Sequence, residues 1–109
     1  MEGRAVGQKI GNGEVNVIKS VVNISKFKKG QVLVTTMTDP DWESVMKLAS
    51  AIVTEKGGST SHAAIVSREL GIPAIVGTEI ATKILKNNHK VTIDCSKGET
   101  GRVLDGLLR

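Results

Sequence analysis

The chain has 109 residues, 39% of them hydrophobic and 24% charged, with 15 Lys and Arg against 11 Asp and Glu for a formal net charge of +4. This bounds a single globular domain over residues 1–109, short for an enzyme with two substrate sites, and no apolar run approaches the roughly 20 residues of a membrane-spanning helix. Cys95 is alone, which excludes an internal disulfide and a cysteine-rich zinc site. Phe27 and Trp42 are the only aromatics beside a mild, spread basic charge, which points away from nucleic acid.

The N-terminal residues lack the apolar stretch of a signal peptide, so a cytoplasmic address is expected. Alternation predicts strands over Ala5 to Ile10 and Glu14 to Ser20, joined through Gly11-Asn12-Gly13 as an antiparallel hairpin. Val21 and Val22 extend or bend the second strand before a basic loop from Lys26 to Gly30, and Gln31 to Thr36 reads as a buried strand. Thr38-Asp39-Pro40-Asp41 combines a capping side chain, a proline and acidic residues, the signature of a helix start. A helix from Asp41 to Ala49 is predicted, burying Trp42, Val45, Met46, Leu48 and Ala49.

Ala51 to Thr54 is the next strand and ends at a glycine-serine-threonine loop. The following helix begins at Thr60 or Ser61, either of which can cap it, and stops at Gly71, with Pro73 beyond. Ala74 to Gly77 forms a strand, Glu79 to Lys86 a helix, Lys90 to Cys95 a strand, and Glu99 to Leu104 returns after a turn. Four short aliphatic strands alternating with helices predict an α/β fold with a mostly parallel, covered sheet, and the hairpin predicts a second, antiparallel layer.

Ligands of open α/β sheets gather where a strand's carboxyl end feeds a helix whose first N–H groups lack partners. His62 falls at such a place. The positive helix end favours an uncharged ring, a nitrogen nucleophile at neutral pH, and also favours the phosphate dianion that would form on it. Gly57 and Gly58 permit close backbone approach, and the hydroxyls of Ser59, Thr60 and Ser61 can orient the ring or bond phosphate oxygens. Arg68 lies six residues on, suited to a solvated ion pair or to docking and phosphate clamping. His89 sits in a polar turn and reads as solvated. With no further ligands at hand, a metal site is not expected. A Ser-His nucleophile pair is also disfavoured, because adjacent residues point apart and no orienting acid is identifiable. There is no Walker-type loop, so the chain is not expected to bind ATP by itself.

The run Gly57-Gly58-Ser59-Thr60-Ser61-His62-Ala63-Ala64-Ile65-Val66-Ser67-Arg68, continuing through Glu69 to Gly77, resembles the phosphohistidine segment of the phosphoenolpyruvate-utilising enzymes. That family includes phosphoenolpyruvate synthase (pyruvate, water dikinase), pyruvate phosphate dikinase, enzyme I of the sugar phosphotransferase system and rifampin phosphotransferase. Met37-Thr38-Asp39-Pro40-Asp41-Trp42 is most like the synthase branch, and Gly3-Arg4-Ala5-Val6-Gly7 resembles the entry into its mobile domain.

The resemblance implies the swivelling β/β/α three-layer domain and a phosphotransferase role for His62, phosphorylated on its tele nitrogen, Nε2. It implies that ATP and Mg²⁺ are handled by an ATP-grasp nucleotide-binding domain and that a (β/α)₈-barrel domain takes the phosphoryl group to pyruvate, so the chain is not expected to turn over alone. Thr60 matches the threonine that regulatory proteins phosphorylate in some members. Two alternatives stand beside this reading: a docking or regulatory module of the same fold that carries no phosphate, and a carrier serving another acceptor, such as an antibiotic or a carrier protein.

Overall fold

The computed structural model describes residues 1–106. The β-branched runs form β3 (Val32–Thr35), β4 (Ala51–Thr54) and β5 (Ala74–Val76), every residue of which is buried. Strands covered on both faces pair in parallel, and these do, with Val34 opposite Val53 and Val53 opposite Ile75. β2 (Ile10–Val17) adds to β3, also in parallel, with Val15 opposite Val32. β6 (Lys90–Asp94) lies antiparallel on β2, and β7 (Thr100–Asp105) lies antiparallel on β6. β1 (Glu2–Val6) runs antiparallel between β7 and β5 and closes the sheet into a seven-stranded barrel.

Two expectations are corrected by this pairing. The hairpin at Gly11-Asn12-Gly13 does not form, because those residues lie inside β2, where Gly11 pairs with Ile93 and Gly13 with Val91. Their glycines serve close approach instead: a β-carbon on Gly11 would stand 2.6 Å from the Ser50 carbonyl oxygen, and one on Gly13 would stand 2.5 Å from that of Gly30. With β1 and β2 unpaired to each other, there is no separate N-terminal antiparallel layer. Nor does Lys90 to Cys95 extend the parallel sheet, since the fourth parallel strand is β2.

Side chains alternate along the parallel strands and so feed two cores. Leu33, Ile52, Ala74 and Val76 face outward onto Trp42, Val45, Met46, Ala63 and Ala64, all buried. Val32, Val34, Ala51, Val53 and Ile75 face the barrel interior, with Val15, Val91, Ile93 and Cys95. The Cys95 thiol donates to the Ala74 carbonyl at 3.3 Å, and burial pushes its ionisation up.

The helices are shorter than their apolar spacing predicts. In place of a helix from Asp41 to Ala49, a 3₁₀ turn (Pro40–Trp42) capped by Asp39 runs into α1 (Glu43–Met46), after which the Gly30 N–H bonds the Leu48 carbonyl and steers the chain into β4. Val21–Lys26 is a 3₁₀ helix capped by Ser20, not a continued strand. α2 (His62–Leu70) is capped by Ser61 and ends at Gly71 in the left-handed region (φ 72), as its cap and stop residues predict. The helix expected from Glu79 to Lys86 is reduced to α3 (Ala81–Ile84), because Leu85 turns extended and buries in the barrel core.

Candidate active site at the start of α2

The parallel strands deliver three connections to one end of the barrel. β3 leads to Thr38 and the turn carrying Glu43, β4 leads to the glycine loop and α2, and β5 leads to Gly77 and α3. Gly57 has φ 111, a backbone state that L side chains rarely adopt, and a β-carbon there would meet the Cβ and Oγ of Ser61 at 2.9 Å. The loop then tightens on itself: the Ser61 hydroxyl donates to the Gly58 carbonyl at 2.8 Å and accepts from the Ala64 N–H at 3.4 Å. Arg68 reaches back from the last turn of α2 and donates to the Ser59 carbonyl at 2.8 Å. Its guanidinium therefore braces the glycine loop. Thr60 is exposed at the loop's tip.

His62 is the first residue of α2 and its side chain is 23% exposed. Thr38 Oγ1 lies 2.8 Å from its Nδ1, and Glu43 Oε2 lies 3.1 Å from its Nε2. A carboxylate can only accept, so Nε2 carries a proton in this arrangement, and the Thr38 hydroxyl donates to Nδ1 when the ring is neutral. The same hydroxyl can turn and accept from Nδ1–H, which would leave Nε2 with its lone pair once the carboxylate moves off. Thr38 thus suits either state of Nδ1, and Nε2 is reachable by a reacting group only once Glu43 moves off.

His62 opens on a hollow of about 220 Å³ lined by Met37, Thr38, Lys56, Gly57, Ser61 and Ala63. A second depression of about 450 Å³ adjoins it and shares Lys56 and Gly57, with Glu55, Gly77 and Glu79 completing its wall. Glu55 is held in place: its Oε2 accepts from the Thr82 N–H at 2.9 Å and the Thr82 hydroxyl at 2.6 Å, bonds that hold its carboxyl below the usual range against a smaller opposing push from burial.

Sequence reasoning did not anticipate Thr38 and Glu43 as ring partners, and the statement that no acid orients His62 is corrected by Glu43. Both come from the connection after β3, a spatial neighbour of β4 that is remote in sequence. The readable signal was topological, since adjacent parallel strands empty their loops at the same edge. His89, expected to be solvated, pairs its Nε2 with Asp105 where β6 begins and β7 ends, both side chains being substantially exposed. Among the described residues no three His, Cys, Asp or Glu side chains converge as a metal site, and no helix is long and apolar enough to cross a membrane.

A β-barrel end with a glycine loop, a capped helix and a first-turn histidine defines a class. Residues 27–98 match the family described as PEP-utilising enzyme, mobile domain, and the chain belongs to that family. It is 59% identical over 107 residues to the phosphoenolpyruvate synthase of Neisseria meningitidis serogroup B (strain ATCC BAA-335 / MC58) and 55% identical over 107 residues to that of Escherichia coli (strain K12), in each case across 98% of this chain. The chain spans about 14% of the length of these relatives. Among solved structures it is similar to an Enzyme I protein studied by NMR, with a TM-score of 0.61 and 32% identity over 74% of this chain and 33% of that one. A UPF0107 protein, at 14% identity and a TM-score of 0.64 over 96% of this chain and all of that one, shares the fold.

Proposed function

We propose that this chain is a phosphocarrier domain, a part of a phosphotransferase of the pyruvate, water dikinase type, in which Nε2 of His62 is transiently phosphorylated. The observation that carries the reading is the ring's placement: first residue of α2, part-exposed against a hollow, with Nδ1 bonded to Thr38 and Nε2 bonded to the half-exposed carboxylate of Glu43. A phosphoryl group on Nε2 would lie beside the first turn of a nine-residue helix, whose N–H groups and dipole favour negative charge.

In loading, the bond from the β-phosphorus to the oxygen bridging it to the α-phosphorus breaks, the Nε2–P bond forms, the Nε2 proton leaves and AMP departs. Water then cleaves the β–γ P–O bond and phosphate leaves, keeping one phosphoryl group on Nε2. In delivery, the N–P bond breaks and the enolate oxygen of pyruvate, which has given up a methyl proton, takes the phosphoryl group, so that ATP, pyruvate and water yield phosphoenolpyruvate, AMP and phosphate. Phosphoryl transfer relies on in-line positioning and charge neutralisation, which an ATP-grasp nucleotide domain and a pyruvate-binding barrel would supply at two separate sites, together with ATP and Mg²⁺. That division is supported by the small share of its relatives that the chain covers. The donor set around His62 does not fit a Mg²⁺ site, since Glu43 and Lys56 are the charged groups against the ring and its hollow.

We read the two apolar cores on either side of the parallel strands as the swivelling β/β/α arrangement, the barrel flattened into two β layers and helices forming the third. The exposure of Thr60, two residues before the ring, supports its modification by a regulatory protein, and a phosphate there would stand in the way of docking.

The test is to incubate the chain with its cognate nucleotide-binding domain and ATP labelled in the β or γ position, beside His62→Ala. Acid-labile, alkali-stable label on the wild-type chain and background label on the variant are expected. Equal labelling of the two proteins would overturn the reading.

A further inference from the structure

Nε2 of His62 is the nitrogen on which the carrier reading puts the phosphoryl group, yet the unloaded site does not leave it free. Glu43, the first residue of α1, places Oε2 3.1 Å away in the direction from which a phosphorus atom must approach the lone pair. The carboxylate and a phosphoryl group cannot share that position, and their like charges would repel across the short gap. Glu43 has somewhere to go: its side chain is 45% exposed and its ring contact is its one hydrogen bond through the carboxylate among the described residues. Its backbone is fixed by Trp42, which is buried, and by the Asp39-capped turn ahead of it, so a change of side-chain rotamer suffices to clear the ring.

Resting on the carrier reading above, we propose that Glu43 guards the phosphoryl acceptor: it holds Nε2–H while the domain is undocked and must withdraw before any donor can reach the nitrogen. The guard discriminates between donors. A docked nucleotide domain can draw the carboxylate aside with a cationic group of its own, whereas a small phosphoryl compound met in solution has no means of doing so and finds the nitrogen protonated and screened by negative charge. Glu43 is therefore a positioning residue that suppresses phosphorylation away from a partner.

The probe is potassium phosphoramidate, a phosphoryl donor with no docking surface; its P–N bond breaks to release ammonia, the Nε2–P bond forms, and the Nε2 proton passes to solvent. Initial rates of phospho-His62 formation are followed by ³¹P NMR for the wild-type chain, Glu43→Ala and Glu43→Gln, with amide spectra confirming that each variant is folded. Removing the charged guard is expected to raise the rate about threefold or more, in keeping with the strength of a part-exposed ion pair. Rates in both variants equal to or below wild type overturn the proposal. A second readout needs no phosphorylation: the Nε2–H proton of His62 is expected to give a resonance protected from exchange in the wild type and lost in Glu43→Ala, and equal behaviour in the two proteins also overturns it. Failure of the carrier reading looks different, as phosphoryl absent from His62 in every protein while Glu43→Ala still releases the Nε2 proton.

Discussion

Two helices start from the carboxyl ends of neighbouring parallel strands, and their first turns are finished in opposite ways. α3, after β5, has Ile80 at its N-cap with no side-chain bond and borrows Glu55 from the end of β4, whose carboxylate takes the Thr82 N–H at 2.9 Å. α2, after β4, closes its own turn with Ser61, is braced from behind by Arg68, and has a histidine at its first position. Both ends attract negative charge, but α3 satisfies its own with a fixed carboxylate from the same chain. At α2 the carboxylate, Glu43, is set on the imidazole and not on the backbone amides, where it is displaceable. If α2 carries the phosphoryl group as proposed, the comparison teaches that such a site depends on what the chain leaves movable at the helix start, since the dipole alone is common to both.

The largest way to break this contrast is Trp42→Ala. Trp42 is 5% exposed and anchors the segment that presents Thr38 and Glu43 to the ring. Truncation is expected to cost about 3–5 kcal/mol of stability, read from denaturant unfolding, and to release both ring partners while the Glu55–Thr82 bonds at α3 persist. Gly57→Ala comes next. It forces a β-carbon onto a backbone at φ 111 and into the capping side chain of Ser61 at 2.9 Å, and should cost at least about 1 kcal/mol with amide shifts concentrated around α2.

Glu55→Gln is the smallest and acts on the other helix. It removes the anion from the start of α3, with an expected loss of a few tenths of a kcal/mol at neutral pH. Because the folded-state carboxyl is held below its ordinary range by Thr82, its stabilising contribution is present above the unfolded carboxyl's pKa and is lost as pH falls through the folded one. Wild type and variant should therefore converge in stability below the carboxylate range. A difference that persists undiminished in acid would contradict the assignment.

Local features were readable from the sequence and non-local ones were not. α2 was legible from end to end because Ser61 and Gly71 act within their own helix, one through its hydroxyl and the other through a left-handed backbone. β3, β4 and β5 were legible because short β-branched runs between glycines and prolines have few other uses. The Gly11-Asn12-Gly13 segment misled, since the glycines that build turns also let strands press on neighbouring backbone, and only the positions of Ser50 and Gly30 distinguish the two uses. Helix lengths were overread where apolar spacing continued past the point at which tertiary contacts took over, as at Leu48 and Leu85. Thr38 and Glu43 were visible as a helix start, but their role on His62 depends on β3 lying beside β4.

The most direct measurement is ³¹P–¹⁵N NMR of the chain after loading from ATP by its nucleotide-binding partner, with the histidine rings labelled. A single phosphorus coupled to Nε2 of His62, its signal lost in His62→Ala, is the result predicted here. Phosphorus on Nδ1, or an acid-stable signal on Ser59, Thr60 or Ser61 that survives His62→Ala, would contradict it.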